Sequence, residues 1–223
     1  MMLHHRKEHL VRVLAAMLTM QAYPQGTFQN LDFENGTFIP IPGDPYGRVY
    51  WAQAVPGWTG YVSTNQIDWA LHNGMFLDNP GIGIWGLDFP SSGIFHGHCF
   101  VALQFGSLSG SFAVCSIAQT GMIPLGTQSI RYLTNQQLIP GFDVTFAGQQ
   151  IPLSLLGGTP SGNWIWGGDV SVYAGQTGEL RFAGGTYLDY IQFSTLPIPE
   201  PSMLGLMILG AAFATIPLFR RKQ

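Results

Sequence analysis

The chain has 223 residues, of which 46% are hydrophobic, 13% are aromatic and only 9% are charged. This apolar content excludes a disordered protein, and the length suits one domain with a buried core. Between residues 24 and 197 the sequence contains ten acidic residues, three arginines and no lysine, which gives this stretch a net charge near −7. A nucleic-acid-binding protein presents a positive surface, so the composition excludes that class.

The N-terminus has the order of charged and apolar residues that is typical of a secretory signal. Arg6 lies in a basic region, and the short apolar run of residues 13–20 follows it. Arg12 intrudes and no small-residue cleavage site follows, so a leader without structure is the alternative. Because the C-terminus also indicates a membrane, we expect residues 1–22 to be a signal peptide and the protein to be exported.

Residues 23–197 have the pattern of a β domain. Short runs alternate between apolar and polar residues or are rich in β-branched and aromatic residues, and glycine-rich turns separate them. The runs are GYVSTNQIDWAL, HCFVALQF, GSFAVCSIAQT, QSIRYLTN, FDVTFAG, DVSVYAG, GELRFAGG and YLDYIQFS. Between them the sequence predicts no long helix. We therefore predict an all-β fold, a jelly roll or β-sandwich.

Several short motifs of this domain also follow the order of a known family. The motifs are NLDFENG, VPGWTGY, FVALQ, SIAQTGMIP, VSVYAGQTGELRF and YLDYIQFS. In this order they resemble the galactose-binding-like jelly rolls of carbohydrate-binding modules, over most of residues 29–194. They are also similar to the extracellular domains that often precede PEP-CTERM tails. The resemblance implies a jelly-roll fold and sugar binding.

Aromatic residues are candidates for sugar contact, because sugar rings stack on flat aromatic faces. Trp164 and Trp166 lie two residues apart in GNWIWGG and therefore share one strand face. They are the predicted ligand-binding platform, with packing in the core as the alternative. Trp58, which follows Pro-Gly, is expected in the core. GSLSG has Leu108 where the motif G-x-S-x-G has its serine, so the sequence predicts no catalytic residue and no enzyme.

Two cysteines and two histidines are further candidates. Cys99 and Cys115 are symmetric about the turn of a predicted hairpin, so they could form a disulfide or remain two buried thiols. His96 and His98 form an H-x-H pair that could bind zinc or copper with a third ligand such as Asp88. Two half-exposed strand histidines are the alternative.

A structural calcium ion is predicted at Glu34 and Asp189. By strand alternation Asp32 and Glu34 share one face, and Asp189 shares a face with two apolar residues of core type. A carboxylate on a core face is costly unless it is paired, and calcium suits an extracellular carboxylate site. The resemblance implies such an ion, held by a Glu and an Asp that link the first and last strands. Solvated strand ends, or an ion pair with Arg48 or Arg181, are the alternatives.

The C-terminal residues 198–223 combine a Pro-Glu-Pro motif, an apolar run and a basic cluster. The uncharged run, residues 203–219, reaches about 25 Å as a helix, and the basic cluster favours a cytoplasmic C-terminus. A buried core helix is the alternative. In this order the features resemble the PEP-CTERM sorting signal. The resemblance implies recognition by an exosortase-type membrane protease, cleavage near the motif, and release or attachment outside the cell. The motif and cluster residues are Pro199, Glu200, Pro201, Arg220, Arg221 and Lys222.

These features predict an exported protein of the cell surface or extracellular matrix that is sorted by a PEP-CTERM system and binds polysaccharide. Two alternatives stay open: a secreted glycan-active hydrolase, and a structural matrix protein without a ligand. The expected partners are an exosortase, a polysaccharide and, before processing, the membrane, with no nucleic acid.

Overall fold

The fold was examined in a computed structural model of the chain. The described residues are 26–76, 78–86, 96–108, 110–135 and 141–199. Within these ranges the chain consists almost entirely of strands and turns, with one α-helical turn, α1 (Trp51–Ala54), and one 3-10 turn at Ser171–Tyr173. The predicted all-β fold class is therefore confirmed.

Several predictions fall on other parts of the chain. The signal peptide (1–22), the candidate metal ligand Asp88 and the sorting residues from Glu200 onward, including the apolar run 203–219, lie outside the described residues. None of the helices within the described ranges is long and apolar enough to cross a bilayer.

The strands are short, as expected for a sequence with frequent glycine-rich turns. Their bounds are β1 (Arg48–Tyr50), β2 (Thr59–Val62), β3 (Asn65–Ile67), β4 (Trp69–His72), β5 (Gly81–Trp85), β6 (Phe100–Gln104), β7 (Gly106–Leu108), β8 (Ser111–Ala113), β9 (Cys115–Met122), β10 (Ser129–Thr134), β11 (Asp143–Phe146), β12 (Gln149–Gln150), β13 (Leu153–Gly158), β14 (Trp164–Asp169), β15 (Thr177–Ala183) and β16 (Thr186–Ser194).

The strands form two large sheets and one small ribbon. The larger sheet has the order β1-β4-β5-β6-β16-β10-β14-β13, and the smaller sheet has the order β12-β11-β15-β9-β2-β3. Strands β7 and β8 form the ribbon. In the larger sheet β4 and β5 run parallel, whereas β16 is antiparallel to both of its neighbours, β6 and β10. The last strand of the domain therefore lies at the centre of the larger sheet.

Side-chain alternation explains how the two sheets share one core. In β10, Ile130 and Tyr132 are buried between the sheets, whereas Arg131 is partly exposed on the opposite face. In β15 of the smaller sheet, Leu180 and Phe182 fill the same core. The rings of Tyr132 and Phe182 meet edge to face with 5.4 Å between their centroids. Two sheets that pack on one core have the arrangement of a β-sandwich.

Trp58 belongs to this core, as predicted, with only 4% of its surface exposed. Its Nε1 donates a hydrogen bond to the backbone oxygen of Asn30 at 3.0 Å, so the buried indole N–H has a partner. Trp51 Nε1 in turn donates to the backbone oxygen of Trp58 at 2.7 Å. The two tryptophans thereby connect α1 to the turn that contains Asn30.

The hairpin predicted around Ser107 forms as the β7–β8 ribbon, but it does not extend to the two cysteines that flank it. Strand β6 pairs with β5 and β16 in the larger sheet, whereas β9 pairs with β2 and β15 in the smaller sheet. Alternation predicts strands, but it does not tell whether consecutive strands pair or cross between sheets. Cys99 and Cys115 are both buried free thiols, so the structure favours the two-thiol alternative over the disulfide.

A β-bulge interrupts β16 at the centre of the larger sheet. Asp189 pairs with Leu133 of β10, whereas Gln192 pairs with Arg131, so β16 contains one extra residue between these pairs. Within the bulge Tyr190 has a φ of 50°, a backbone conformation that residues other than glycine rarely adopt. Asp189, Ile191 and Phe193 are nevertheless all buried, in agreement with the prediction that they point towards the core.

Candidate functional site

Residues 96–99, here called the anchored segment, lie just before β6 and are held by the side chain of Glu34. Glu34 Oε1 accepts hydrogen bonds from the backbone N–H groups of His98 and Cys99, at 2.7 and 2.8 Å. Gly97 allows this approach, because its φ is +70° and a Cβ atom there would overlap the Glu34 carboxylate. The carboxylate thus provides the anchored segment with backbone hydrogen bonds that no strand supplies.

The NLDFENG motif forms a tight turn that places Glu34. Asn30 organises the turn: its Oδ1 accepts the Asn35 N–H at 3.0 Å, and its Nδ2 donates to the Pro56 oxygen at 3.2 Å. The prediction that Asp32 and Glu34 share a strand face is therefore wrong, because the motif is not a strand. Asparagine tolerates a positive φ and bonds to nearby backbone, and both properties favour a turn here.

Asp189 holds the other end of the anchored segment. It is fully buried, its Oδ2 accepts the His96 N–H at 3.0 Å, and its Oδ1 accepts the Tyr190 N–H at 2.6 Å. Burial raises the pKa of Asp189 to about 9, although the two N–H donors act in the opposite direction, and the nearby carboxylates of Glu34 and Asp32 raise it further. Burial therefore favours the protonated form of this carboxyl group, whereas the two N–H donors favour the ionised form.

The turn, the anchored segment and the bulged strand meet at one place. The N–H of Ile191 donates to the backbone oxygen of Leu31 at 2.9 Å, which joins the turn to β16. Burial is the main cause that raises the pKa of Cys99 to about 12, and the carboxylates of Glu34, Asp189 and Asp32 contribute to the shift. All three acidic groups therefore lie within electrostatic range of this thiol.

The structure brings the two predicted calcium ligands to the same segment. Three of the four carboxylate oxygens of Glu34 and Asp189 already accept backbone N–H groups. Among the residues that the structure describes, no group of three His, Cys, Asp or Glu side chains is arranged to hold a metal ion. The hydrogen bonds account for the two carboxylates without a cation, and calcium stays a prediction whose test is given in the Discussion.

An open pocket of about 360 Å3 lies beside the anchored segment. It is on the face of the larger sheet that points away from the shared core, across β10, β14 and β16. Its lining residues are His96, Arg131, Tyr132, Leu133, Thr159, Ser161, Asn163, Ile165, Tyr190 and Gln192. We call this cavity the sheet pocket.

One wall of the sheet pocket is aromatic. The rings of Tyr190 and His96 stack with 3.8 Å between their centroids and an interplanar angle of 22°. Tyr190 is the residue at positive φ in the bulge, and the backbone of His96 is bound by Asp189. Bulges and unusual φ values often occur where a side chain is aimed at a site. The buried carboxylate therefore acts on the pocket by positioning its aromatic wall.

The other walls supply polar groups around an apolar floor. Leu133 and Ile165, which pair across β10 and β14, form the floor. The loop of residues 159–163 contributes hydroxyl and amide groups, and it is closed by a hydrogen bond from the Thr159 N–H to the Asn163 oxygen at 2.7 Å. Its Thr-Pro-Ser-Gly-Asn sequence is a typical turn signal. The folded chain places this loop beside the bulge.

Trp164 and Trp166 do not line the sheet pocket. They share one strand face, as predicted, but they lie opposite Thr134 and Tyr132, which are both buried. Trp166 packs against the core cluster. The side chain between them, Ile165, reaches the pocket instead. The structure thus favours the packing role for Trp166.

The two histidines of the H-x-H pair have different surroundings. Both are exposed, but the His96 ring stacks on Tyr190, whereas the backbone N–H of His98 is bound by Glu34. The third ligand suggested by the sequence, Asp88, lies outside the described residues. Gly97, which separates the two histidines, permits the contact with Glu34. The role of Gly97 could not be predicted from the sequence, because this contact joins residues that are far apart in the chain.

Comparisons with protein-family models, with curated proteins and with solved structures found no match to this chain.

The two thiols should be unreactive in the folded protein. Burial raises the pKa of Cys99 and of Cys115 to about 12, so little thiolate exists at neutral pH. Without reductant, we expect intact-mass analysis to find no iodoacetamide label on the native chain and two labels after unfolding in guanidinium. An unfolded chain that takes up no label before reduction would instead contain the disulfide.

Proposed function

We propose that this protein is an exported, non-catalytic component of the cell surface or extracellular matrix whose jelly-roll domain binds polysaccharide in the sheet pocket. The observation that carries this proposal is the stacked pair of Tyr190 and His96 beside a rim of hydroxyl, amide and guanidinium groups. A sugar ring has an apolar face and a polar edge, so a combined aromatic and polar wall suits it.

The lining of the sheet pocket supports a binding role over hydrolysis. Glycoside hydrolases generally use a pair of carboxyl groups on opposite sides of the scissile bond. The described lining residues include no acidic side chain. Asp189 precedes the lining residue Tyr190, but it is fully buried and both of its carboxyl oxygens accept backbone N–H groups.

Binding is tested by affinity electrophoresis of the purified full-length chain in gels that contain soluble polysaccharides. We expect at least one polysaccharide to retard the chain without new reducing ends in solution. Tyr190→Ala should weaken this binding about tenfold, as expected for a lost aromatic contact. Tyr46→Ala is the matched control, because Tyr46 is 61% exposed and lies outside the sheet pocket.

The outcomes separate the three functions predicted from the sequence. New reducing ends would identify a hydrolase, and no retardation by any polysaccharide would leave a structural matrix protein. Loss of binding in Trp164→Ala or Trp166→Ala, with an unchanged melting temperature, would move the site to the predicted tryptophan platform.

The order of the C-terminal features supports sorting by a PEP-CTERM system. The described chain ends at Pro199, and the residues just before this region are attached to the larger sheet: Ser129 Oγ donates to the Leu196 oxygen at 2.7 Å. Cleavage near Pro199 would therefore leave the sheet pocket on the mature protein.

Processing is tested in a host that contains an exosortase. Intact-mass analysis should find a surface protein that lacks residues 203–223, since the sorting signal is removed. Deletion of residues 220–222 should reduce retention at the membrane, because those charges favour a cytoplasmic C-terminus. Full-length chains alone in the envelope would contradict processing and indicate a permanent anchor.

A further inference from the structure

Arg131 differs from the other two arginines of the described chain. Arg48 forms an ion pair with Asp44, and Arg181 forms one with Glu179 at 2.8 Å. Within the described ranges, Arg131 contacts no carboxylate. It lines the sheet pocket, and none of the described lining residues is acidic. Its positive charge is therefore not neutralised by a neighbour.

Neutral acceptors hold the Arg131 guanidinium in place. Its Nε donates to Ser129 Oγ at 3.2 Å, and its Nη2 donates to the backbone oxygens of Leu196 and Pro197 at 3.4 and 3.3 Å. Ser129 is fully buried. Among the described residues, Nη1 has no partner. The guanidinium is thus oriented before any ligand arrives, with donors left over, and this lowers the entropy cost of binding.

A second polar residue of the sheet pocket pairs with Arg131 in the sheet. Gln192 of β16 pairs with Arg131 of β10, and both side chains line the sheet pocket beside Tyr190. A carboxylate bound to the guanidinium would lie next to an amide that can bond to neighbouring hydroxyl groups, and near an aromatic ring that can stack on the sugar. Arg131, Gln192 and Tyr190 therefore match three parts of one acidic sugar.

We propose that the sheet pocket selects acidic polysaccharides, with the carboxylate of a uronic acid residue bound by Arg131. This inference rests on the proposed polysaccharide-binding function and names its ligand class. Nη1 of Arg131 can donate a charge-assisted hydrogen bond to a carboxylate, and such a bond is stronger than one to a neutral oxygen. The stretch from residue 24 to residue 197 has a net charge near −7, which repels a polyanion. Any electrostatic attraction for an acidic polysaccharide must therefore come from the positive charge in the sheet pocket itself.

The test uses polymers that differ only at the carboxyl group. The purified full-length chain is titrated with oligosaccharides of β-1,4-linked glucuronate and of β-1,4-linked glucose, and with α-1,4-linked galacturonate and galactose oligomers, at low salt. We expect at least one acidic polymer to bind at least tenfold more tightly than its neutral counterpart. Added sodium chloride should weaken the acidic interaction and leave the neutral one nearly unchanged.

Variants then assign the preference to one side chain. Arg131→Gln should abolish the preference, and Arg131→Lys should restore only part of it because lysine has no Nε donor that could bind Ser129 and hold the charge in this orientation. Arg48→Gln is the control, since Arg48 lies in β1, away from the sheet pocket. If Arg131→Gln does not fold, as judged by its melting curve, the salt dependence of the unaltered chain still decides the question.

The outcomes distinguish the inference from the function on which it rests. Equal binding of acidic and neutral polymers, unchanged by Arg131→Gln, would overturn the inference and leave polysaccharide binding intact. Tighter binding of a sulfated polymer than of every uronate would also overturn it, because the preferred anion would then be a sulfate and not a carboxylate. Failure of every polymer to bind would overturn both.

Discussion

Gly97→Ala should lower the free energy of unfolding by about 3 kcal/mol or more. An alanine at a φ of +70° costs about 1–2 kcal/mol in backbone strain. Its Cβ would also overlap the Glu34 carboxylate, which accepts two backbone N–H groups of the anchored segment. Moving that carboxylate would break hydrogen bonds that contribute about 1.5–3 kcal/mol each when one partner is charged.

The matched control for this variant is Gly148→Ala. Gly148 has a similar φ of +77°, but a Cβ there would meet nothing within 4 Å. This variant should therefore lose only about 1–2 kcal/mol. Urea unfolding measures both free energies, and the difference between them isolates the contact with Glu34. Equal losses in the two variants would show that Glu34 does not stabilise the anchored segment.

The second large effect is a fall in stability with rising pH that depends on Asp189. The pKa of Asp189 is about 9 in the folded protein, whereas the usual pKa of an aspartate side chain is 3.8. Between these values the folded state binds more protons than the unfolded state, so the stability from this group is fully present at low pH and is lost as pH rises towards 9. The unfolding free energy should fall by up to about 1.4 kcal/mol per pH unit in this window.

Urea unfolding at pH 5, 6.5 and 8 measures this slope. Asp189→Asn should remove it, since the amide does not titrate. Asp169→Asn is the control: Asp169 is exposed, and a hydrogen bond from the Ser171 N–H lowers its pKa. A lowered pKa affects stability only at acidic pH, so the control should keep the slope of the unaltered protein. A slope that survives in Asp189→Asn would contradict the role of Asp189.

Calcium would change the sign of this pH dependence. A calcium ion binds ionised carboxylates, so its affinity and its stabilising effect rise with pH. If Glu34 and Asp189 bind calcium, the melting temperature at pH 8 should be higher with calcium than with excess chelator, by mass action. Asp189→Ala should abolish that difference. Identical melting curves in both buffers, with no calcium found by elemental analysis, would contradict the predicted site.

The all-β fold could be predicted from sequence because strand alternation is a local property. Ile130, Tyr132 and Arg131 alternate in β10 as expected, and Trp58 is buried where its motif predicts. The sequence also predicts that burial of the Asp189 carboxyl group costs free energy, since Asp189 lies among apolar residues of a strand. These features depend on neighbouring residues in the chain, and a period of two is enough to predict them.

The anchored segment and the sheet pocket were decided by the tertiary structure. Glu34 binds residues more than sixty positions away, and Asp189 binds His96, which is 93 positions away. The bulge that exposes Tyr190 is a two-to-one pairing between β16 and β10, which no pattern within β16 reveals. Strand order is set by which distant segments pack together, so only the folded chain places His96, Arg131 and Tyr190 around one cavity.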